Sequence, residues 1–198
     1  SLARPGGNIT GMTTGAEDTI QKLVELLMVA APKLKRIAVI TKPASTTHAR
    51  LLLQVQAAAR RTGKQVLPVS VRTADEIENG FATMVRERSD AMIVFPDSFL
   101  LQQRMQIAKL ALKHRLPSIN ALAGYAEAGG LMSYGADIND NARRAGIFVD
   151  KILKGTKPGD IPFEQPMRYY LVINRKTANA LGVKINNELL TRADKIIE

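Results

Sequence analysis

Two short apolar segments, residues 129–135 (GGLMSYG) and 169–173 (YYLVI), determine the architecture predicted for this chain, because a long detour separates them. The first segment ends in a predicted strand, and residues 138–154 after it carry apolar side chains at helical spacing. The chain then passes through residues 155–166, a linker-like stretch rich in Pro and Gly, before the second strand begins. A chain that leaves its sheet, forms one helix elsewhere and returns predicts a two-lobed protein whose chain crosses a hinge several times.

Upstream of this detour, predicted strands and helices alternate. Arg36–Thr41 (RIAVIT) and residues 91–95 (AMIVF) are apolar on both faces, which is typical of buried parallel strands. The other predicted strands are residues 9–12, 65–71, 117–121 and 131–134, and the predicted helices are residues 17–30, 46–61, 74–88 and 98–115. This alternation predicts the α/β class, with a doubly wound parallel sheet and helices on both faces in three α/β/α layers.

The composition indicates a globular chain and excludes several kinds of chemistry. With 198 residues, 45% of them hydrophobic, the chain is long enough to bury a core. It has no Cys, which excludes disulfides, thiolate metal sites and Cys nucleophiles. The net charge of +10 suggests nucleic-acid binding, but Lys and Arg are spread over helix ends and no basic run is interleaved with aromatic residues. We therefore predict a solvated basic surface and no nucleic-acid partner, although an acidic ligand or partner also fits the charge.

The sequence has no recognisable catalytic machinery. His48 and His114 are the only histidines, and neither has a carboxylate four residues away, as a helical metal site would require. There is no G-x-S-x-G elbow and no Walker glycine loop. We therefore expect no catalytic residues, no metal and no cofactor, and a binding function rather than an enzymatic one.

Polar residues follow the predicted strands, where ligands bind in open parallel sheets. The candidate ligand-binding residues in these loops are Thr13, Thr14, Ser45, Thr46, Asp97, Ser98 and Asn120. Each hydroxyl in this set also occupies a position where a helix N-cap belongs, so capping explains each one taken alone. Asp97 fits two roles equally well, as the N-cap of the next helix or as the partner of a ligand cation. The case for a site is that these loops share one edge of the predicted sheet.

Four segments resemble ABC-transporter substrate-binding proteins of the tryptophan/tyrosine-uptake type. They are residues 3–11 (ARPGGNITG), 127–135 (EAGGLMSYG), 149–166 (matching VDKILKG-KP-DIP-EQP) and 171–182 (matching LVIN-KTA-ALG). The resemblance extends over nearly the whole chain. It implies the fold of type I periplasmic binding proteins, in which two similar α/β lobes, joined by three crossings, close on a small molecule.

The resemblance also implies a division of the chain. Residues 1–10 correspond to the first hinge crossing and residues 11–134 to the C-terminal, ligand-binding lobe. Residues 135–166 are the helix and linker that belong with the first lobe, with residues 163–166 crossing back, and residues 167–198 complete the C-terminal lobe. We accordingly expect the amino-terminal lobe to lie outside this chain, which would then hold half of the cleft and bind ligand poorly by itself.

The function implied by the resemblance is that of the solute-binding component of an ABC importer. Such a protein is periplasmic, or anchored to the membrane outside the cytoplasm, and it would pass an amino acid or an aromatic relative to an ABC permease. One alternative is the effector-binding domain of a LacI-type transcriptional regulator, which shares the fold, and a less favoured one is a doubly wound α/β enzyme.

The helix predicted over residues 138–154 leads to a further expectation about association. Without the first lobe, its apolar stripe would be exposed, and Phe148 alone would present a large hydrophobic area. We therefore predict that this helix packs against a second copy of the chain, by symmetric pairing or by swapping, and forms a homodimer. The alternative is that it folds back over its own sheet.

Overall fold

Seven strands form one sheet in the computed structural model of this protein, which describes residues 1–122 and 124–198 and, for Ile138, the backbone alone. The strands are β1 (Arg36–Thr41), β2 (Gln65–Ser70), β3 (Ala91–Val94), β4 (Ser118–Asn120), β5 (Met132–Gly135), β6 (Tyr170–Asn174) and β7 (Lys195–Ile197). Their order in the sheet is β2-β1-β3-β4-β5-β6-β7. Strands β1 to β5 are parallel, as predicted.

The sheet is not parallel throughout, because β6 runs antiparallel to β5, with Gly135 opposite Tyr170. The chain leaves the sheet at the carboxyl end of β5 and comes back at that same edge after its detour. It must therefore enter β6 in the reverse direction, and β7 then pairs with β6 in parallel.

The described residues form eight α-helices. They are α1 (Ala16–Ala30), α2 (Thr46–Arg61), α3 (Ala74–Arg86), α4 (Ser98–Gln102), α5 (Arg104–Lys113), α6 (Ile138–Leu153), α7 (Arg175–Leu181) and α8 (Asn187–Arg192). Helices α1 and α2 pack on one face of the sheet in a core with Ile37, Val39 and Ile93. Helices α3 and α5 pack on the other face, against Ala38, Ile40 and Met92. The predicted three-layer α/β/α architecture is confirmed.

Alternating inward residues explain why β1 and β3 are apolar along their whole length. Residues 37–40 and 91–94 are at most 1% exposed, since consecutive side chains enter opposite cores. Six of the eight helices begin at a side-chain cap that accepts a backbone N–H of the following turn, and these N-cap residues are Ser45, Thr73, Asp97, Asp137, Asn174 and Asn186.

Two sequence-based predictions about individual elements are wrong. Residues 9–12 do not form a strand: Met12 makes one isolated bridge with Glu164, and Ile9 is 67% exposed. The segment lies beside the returning chain rather than in the sheet, so its apolar residues did not indicate a buried strand. The helix predicted over residues 98–115 is divided at Gln103, whose backbone (φ −88°, ψ 10°) separates α4 from α5.

The first and last crossings of the predicted hinge run side by side. Phe163 N–H donates to the Leu2 carbonyl at 2.8 Å, and Glu164 N–H donates to the Gly11 carbonyl at 3.0 Å. The Glu164 carbonyl in turn accepts from Thr13 N–H at 2.9 Å. The Glu164 carboxylate pairs with Arg144 of α6, and this hydrogen bond raises the pKa of Arg144. Segments about 150 residues apart in sequence are therefore held together next to the start of α6.

The exposure expected for Phe148 is wrong, because this ring is only 6% exposed within its own chain. The apolar residues of α6 that do remain exposed are Ile147, Val149, Ile152 and Leu153. Phe148 therefore no longer supports the predicted pairing of α6, which could use only these four exposed residues.

Candidate ligand-binding site

The carboxyl ends of β1, β3, β4 and β5 form one continuous edge, which we call the rim together with the segments that follow these strands. Ile40 of β1 lies opposite Val94 of β3, and Val94 lies opposite Asn120 of β4. Asn120 in turn lies opposite Ser133 of β5. The candidate residues after β1, β3 and β4 therefore stand along one side of the molecule.

Buried His48 joins the first two loops of the rim. Its Nδ1 accepts the Lys42 N–H at 2.8 Å, and its Nε2 lies 3.2 Å from the Pro96 carbonyl oxygen. Only the neutral Nε2–H tautomer satisfies both contacts, since Nδ1 must accept while Nε2 donates. The ring is 2% exposed and packs edge-on against Phe95, with centroids 5.3 Å apart. Sequence reasoning missed this role, although a lone His just after a helix N-cap was a visible signal.

The polar residues after β1 differ in what they contact. The Ser45 hydroxyl accepts His48 N–H at 3.2 Å and caps α2, so its oxygen is already used within the chain. Thr46, the first residue of α2, is exposed at the rim.

Asp97 occupies the N-cap of α4, as one of its two predicted roles requires. Its Oδ1 accepts both Phe99 N–H at 2.9 Å and Leu100 N–H at 3.1 Å. Neither of these bonds uses Oδ2, and the residue is half-buried. Capping therefore does not exclude a second partner for this carboxylate. Ser98, next to it, is exposed.

Asn120 is the most enclosed of the predicted residues, at 1% exposure. Its Oδ1 accepts Leu122 N–H at 2.8 Å, which fixes the turn that leaves β4. The side chain therefore holds the shape of this loop, with its Nδ2 as the donor end.

Thr13 and Thr14 lie near the β5–β6 end of the rim. They precede Gly15, whose carbonyl oxygen is 3.4 Å from the Tyr169 hydroxyl. Thr14 is exposed, whereas the Thr13 hydroxyl oxygen is buried and has no hydrogen-bond partner among the described residues. Such an orphaned oxygen needs explanation, because burying a hydroxyl without a partner is costly.

A pair of tyrosines was not predicted, and one of them, Tyr169, contacts Gly15. The rings of Tyr134 and Tyr169 are 5.9 Å apart and tilted by 36°. Burial raises the pKa of both hydroxyls. The available signal was that one Tyr ends the strand before the detour and the other begins the return.

A cavity of about 750 Å³ lies between the return strand β6 and helix α5, lined by charged residues that include Arg104, Asp137, Arg168 and Asp194. None of the seven predicted residues lines it. They stand on an open edge, and an open edge becomes a pocket only when a second wall faces it. Within residues 1–122 and 124–198, no group of three or more His, Asp or Glu is placed to hold a metal ion. No helix in the described part of the chain is long and apolar enough to cross a membrane.

The fold is that of an α/β domain of the type I periplasmic binding protein kind. The chain belongs to the ABC transporter substrate binding protein family, whose model matches residues 1–197. A search of curated proteins found no match.

Solved structures agree with the family. An ABC domain in complex with L-Trp, from Streptococcus pneumonia, is 27% identical; the match covers 100% of this chain and 67% of that one, with a TM-score of 0.88. A conserved domain protein from Vibrio cholerae is 24% identical over 99% of this chain and 65% of that one, also with a TM-score of 0.88. The chain thus spans about two thirds of the length of the structures it matches.

The LacI alternative is less well supported. A LacI-family regulator from Corynebacterium glutamicum is 15% identical, and the match covers 83% of this chain and 66% of that one, with a TM-score of 0.59. At this identity the likeness shows a shared fold alone.

Proposed function

We propose that this chain is the C-terminal lobe of a two-lobed solute-binding protein that serves an ABC importer. The observation that carries the proposal is the rim: adjacent parallel strands end in polar residues on one open edge, in a chain of the substrate-binding family. Ligand capture consists of closing a second lobe onto this edge, with no reaction catalysed.

The proposed division of the chain follows the crossings. Residues 1–10 and 163–166 are two of them, supported by the backbone hydrogen bonds that join Phe163 to Leu2 and Glu164 to Gly11. The third is the passage from Gly135 to the N-cap Asp137, where the chain leaves the rim. Residues 11–134 and 167–198 then form the lobe, and residues 135–166 belong with the opposite one.

We propose an amino acid or an aromatic relative as the ligand. The pneumococcal structure of the same architecture was solved with L-Trp. In this chain the Asp97 carboxylate, whose Oδ2 takes neither capping bond, is the group suited to a ligand ammonium. Thr13, with its unpartnered buried hydroxyl, lies two residues before Gly15, whose carbonyl oxygen is 3.4 Å from the Tyr169 hydroxyl. The paired rings of Tyr134 and Tyr169 suit an aromatic side chain.

Membership of the family also supports a periplasmic or other extracytoplasmic location and an ABC permease as partner. Both belong to the whole protein rather than to this lobe alone.

Titration calorimetry of the full-length protein with L-Trp and L-Tyr tests the proposal through two variants of Asp97. Asp97→Asn keeps an N-cap of similar strength but removes the charge, whereas Asp97→Ala removes both. We expect both variants to lose more than about tenfold in affinity, which is about 1.4 kcal/mol. Only Asp97→Ala should also lower the melting temperature.

Asp75→Asn, in the exposed first turn of α3 and outside the proposed site, is the matched control and should bind as the unmodified protein does. Unchanged affinity of the Asp97→Asn variant would mean that Asp97 only caps α4 and does not pair with the ligand. Failure of either amino acid to bind the unmodified protein would reject this ligand class.

A further inference from the structure

The edge of the sheet opposite the rim is strongly basic. The segments that enter β1, β2, β3 and β4 are residues 31–36, 60–65, 86–91 and 113–118, and we call them the base. Together they contain ten Lys and Arg but only two carboxylates, Glu87 and Asp90. Most of the net charge of +10 of the whole chain is therefore concentrated at one end.

The rim has the opposite balance. The segments that leave β1, β3, β4 and β5, residues 42–46, 95–98, 121–122 and 136–140, contain one cation and three carboxylates. The lobe thus has a positive end and a negative end, a separation that the overall charge does not reveal. Such an asymmetric distribution orients a protein in an external field.

The base is a continuous surface because its four segments precede adjacent strands. Gln65 N–H donates to the Lys35 carbonyl, Asp90 N–H to the Arg36 carbonyl, and Met92 N–H to the Pro117 carbonyl, all at 2.8–2.9 Å. Eight of the ten cations are exposed, Arg36 and Lys64 being half-buried. Arg36 and Arg86 pair with Glu87, so this carboxylate is already used.

Cations at helix C-termini are favourable in themselves, but this does not explain all of them. Helices α1, α2, α3 and α5 end at the base, and one cation per helix would complement the dipole. The base carries two or three per helix.

Backbone conformation gives a second, independent indication. Arg88 and Arg115 have φ values of +55° and +54°, in the left-handed region that favours glycine after a helix. The corresponding residue after α2 is Gly63, at φ +66°. At two of the three comparable positions the chain therefore holds an arginine where glycine would be less strained. Backbone strain of this kind clusters at functional sites, and of the three non-glycine residues with positive φ in the described chain, Ala44, Arg88 and Arg115, two are cations of the base.

We propose that the base binds the surface of a membrane rich in anionic phospholipids, as a peripheral electrostatic contact. None of the four segments contains Phe, Tyr or Trp, and the single ring among them, His114, stacks on buried Phe81 of its own chain. The base therefore offers no large aromatic side chain to insert between lipids or to stack on nucleotide bases. It presents helix C-termini rather than a helix that could lie in a nucleic-acid groove. Peripheral binding of this type adds up over many Lys and Arg near the headgroups and weakens with salt. The proposal does not depend on which ligand the rim takes.

Sedimentation with lipid vesicles tests the proposed binding of the base to anionic membranes. The full chain is expected to bind vesicles of phosphatidylcholine with about 30% phosphatidylglycerol but not pure phosphatidylcholine, and about 500 mM salt should release it. The triple variant Lys33→Gln, Arg61→Gln, Lys113→Gln should bind about a hundredfold more weakly. These three side chains make no hydrogen bond or ion pair among the described residues. The triple Lys151→Gln, Lys154→Gln, Lys157→Gln, at the far end of α6, makes the same change in net charge and should bind as the unmodified chain does.

A second variant separates function from folding. Arg88→Gly with Arg115→Gly relieves the strained backbone, so Tm should rise by about 2–4 °C per substitution while vesicle binding falls. Equal binding to neutral and anionic vesicles would overturn the proposal, as would equal losses in the two triple variants. Displacement by a short DNA duplex at matched phosphate concentration would show a general polyanion site instead of a membrane contact.

Discussion

At the scale of single residues, buried polar side chains set the shape of the loops. His48 ties the loop after β1 to the loop after β3 through Lys42 and Pro96. Tyr125 has the corresponding role under the loop after β4, where its hydroxyl donates to the Ser118 Oγ at 2.9 Å and its ring is fully buried. Gly130 leaves room for this ring, since an added Cβ would lie 2.1 Å from it.

Ionisation of Tyr125 is expected to lower the stability of the folded protein at alkaline pH. Burial raises the pKa of its hydroxyl, while in the unfolded chain the group ionises near pH 10. The folded state therefore holds this proton more tightly. Its contribution to stability is complete below about pH 10 and is lost as the pH rises towards the folded-state pKa.

We expect Tyr125→Phe to flatten the loss of stability between about pH 9 and pH 11, measured by urea unfolding. At about pH 8 the variant should be less stable by about 1 kcal/mol, because it loses one hydrogen bond and leaves Ser118 without a partner. If the difference between the two proteins stayed constant over the whole pH range, Tyr125 would not be the titrating group.

At the scale of elements, the meeting of β4, β5 and β6 shapes the rim. Gly135 ends β5 opposite Tyr170, and the turn after β4 lies directly against it. An added Cβ at Gly135 would come 1.9 Å from the Ala121 carbonyl oxygen, which is a backbone atom and cannot rotate away. The backbone at this point has an ordinary φ, so space rather than conformation requires the glycine.

Gly135→Ala is expected to destabilise the protein by about 2 kcal/mol or more, because the strand and the turn after Asn120 must separate. Gly146→Ala in α6 is the control: its Cβ meets open space, and the substitution should be neutral or stabilising by up to about 1 kcal/mol. Thermal and urea unfolding measure both variants. Equal stabilities would mean that the sheet accommodates the methyl group without moving.

At the scale of the whole molecule, the two ends of the sheet differ in character. The rim is polar and open, and the base is cationic and exposed. Helix α6 stands apart from both, and its apolar residues Ile147, Val149, Ile152 and Leu153 remain exposed although Phe148 is buried. In the proposed two-lobed protein the opposite lobe covers this helix.

We therefore predict that the 198-residue chain associates through α6 and that the full-length protein does not. Val149→Ser with Leu153→Ser should shift the chain to monomer in sedimentation velocity, because these side chains are 55% and 81% exposed. Leu53→Ser on α2, 65% exposed and remote from α6, should leave association unchanged. A chain that is monomeric at every concentration would contradict the prediction.

Local patterns in the sequence were sufficient for the layers of the fold. The apolar runs of β1 and β3 predicted their burial, and Ser45 and Asp97 cap the helices at the N-cap positions predicted for them, since periodicity and capping depend on neighbours in the chain. Five of the seven candidate residues could be assigned to strand ends for the same reason, whereas Thr13 and Thr14 follow residues 9–12, which form no strand. The contact of all seven with a ligand stays a prediction.

Only the tertiary structure decided what depends on distant segments. The antiparallel direction of β6 follows from where the chain returns to the sheet, and the three-residue β7 exists because β6 offers it an edge. The bridge made by His48 and the burial of Phe148 likewise depend on surroundings that no local pattern encodes. The sequence fixes the number of charges, but the order of the strands gathers the cations at one end. Interactions between residues a few positions apart can be predicted from the local sequence. Interactions between distant segments depend on the order and direction of the strands, which are set only when the sheet forms.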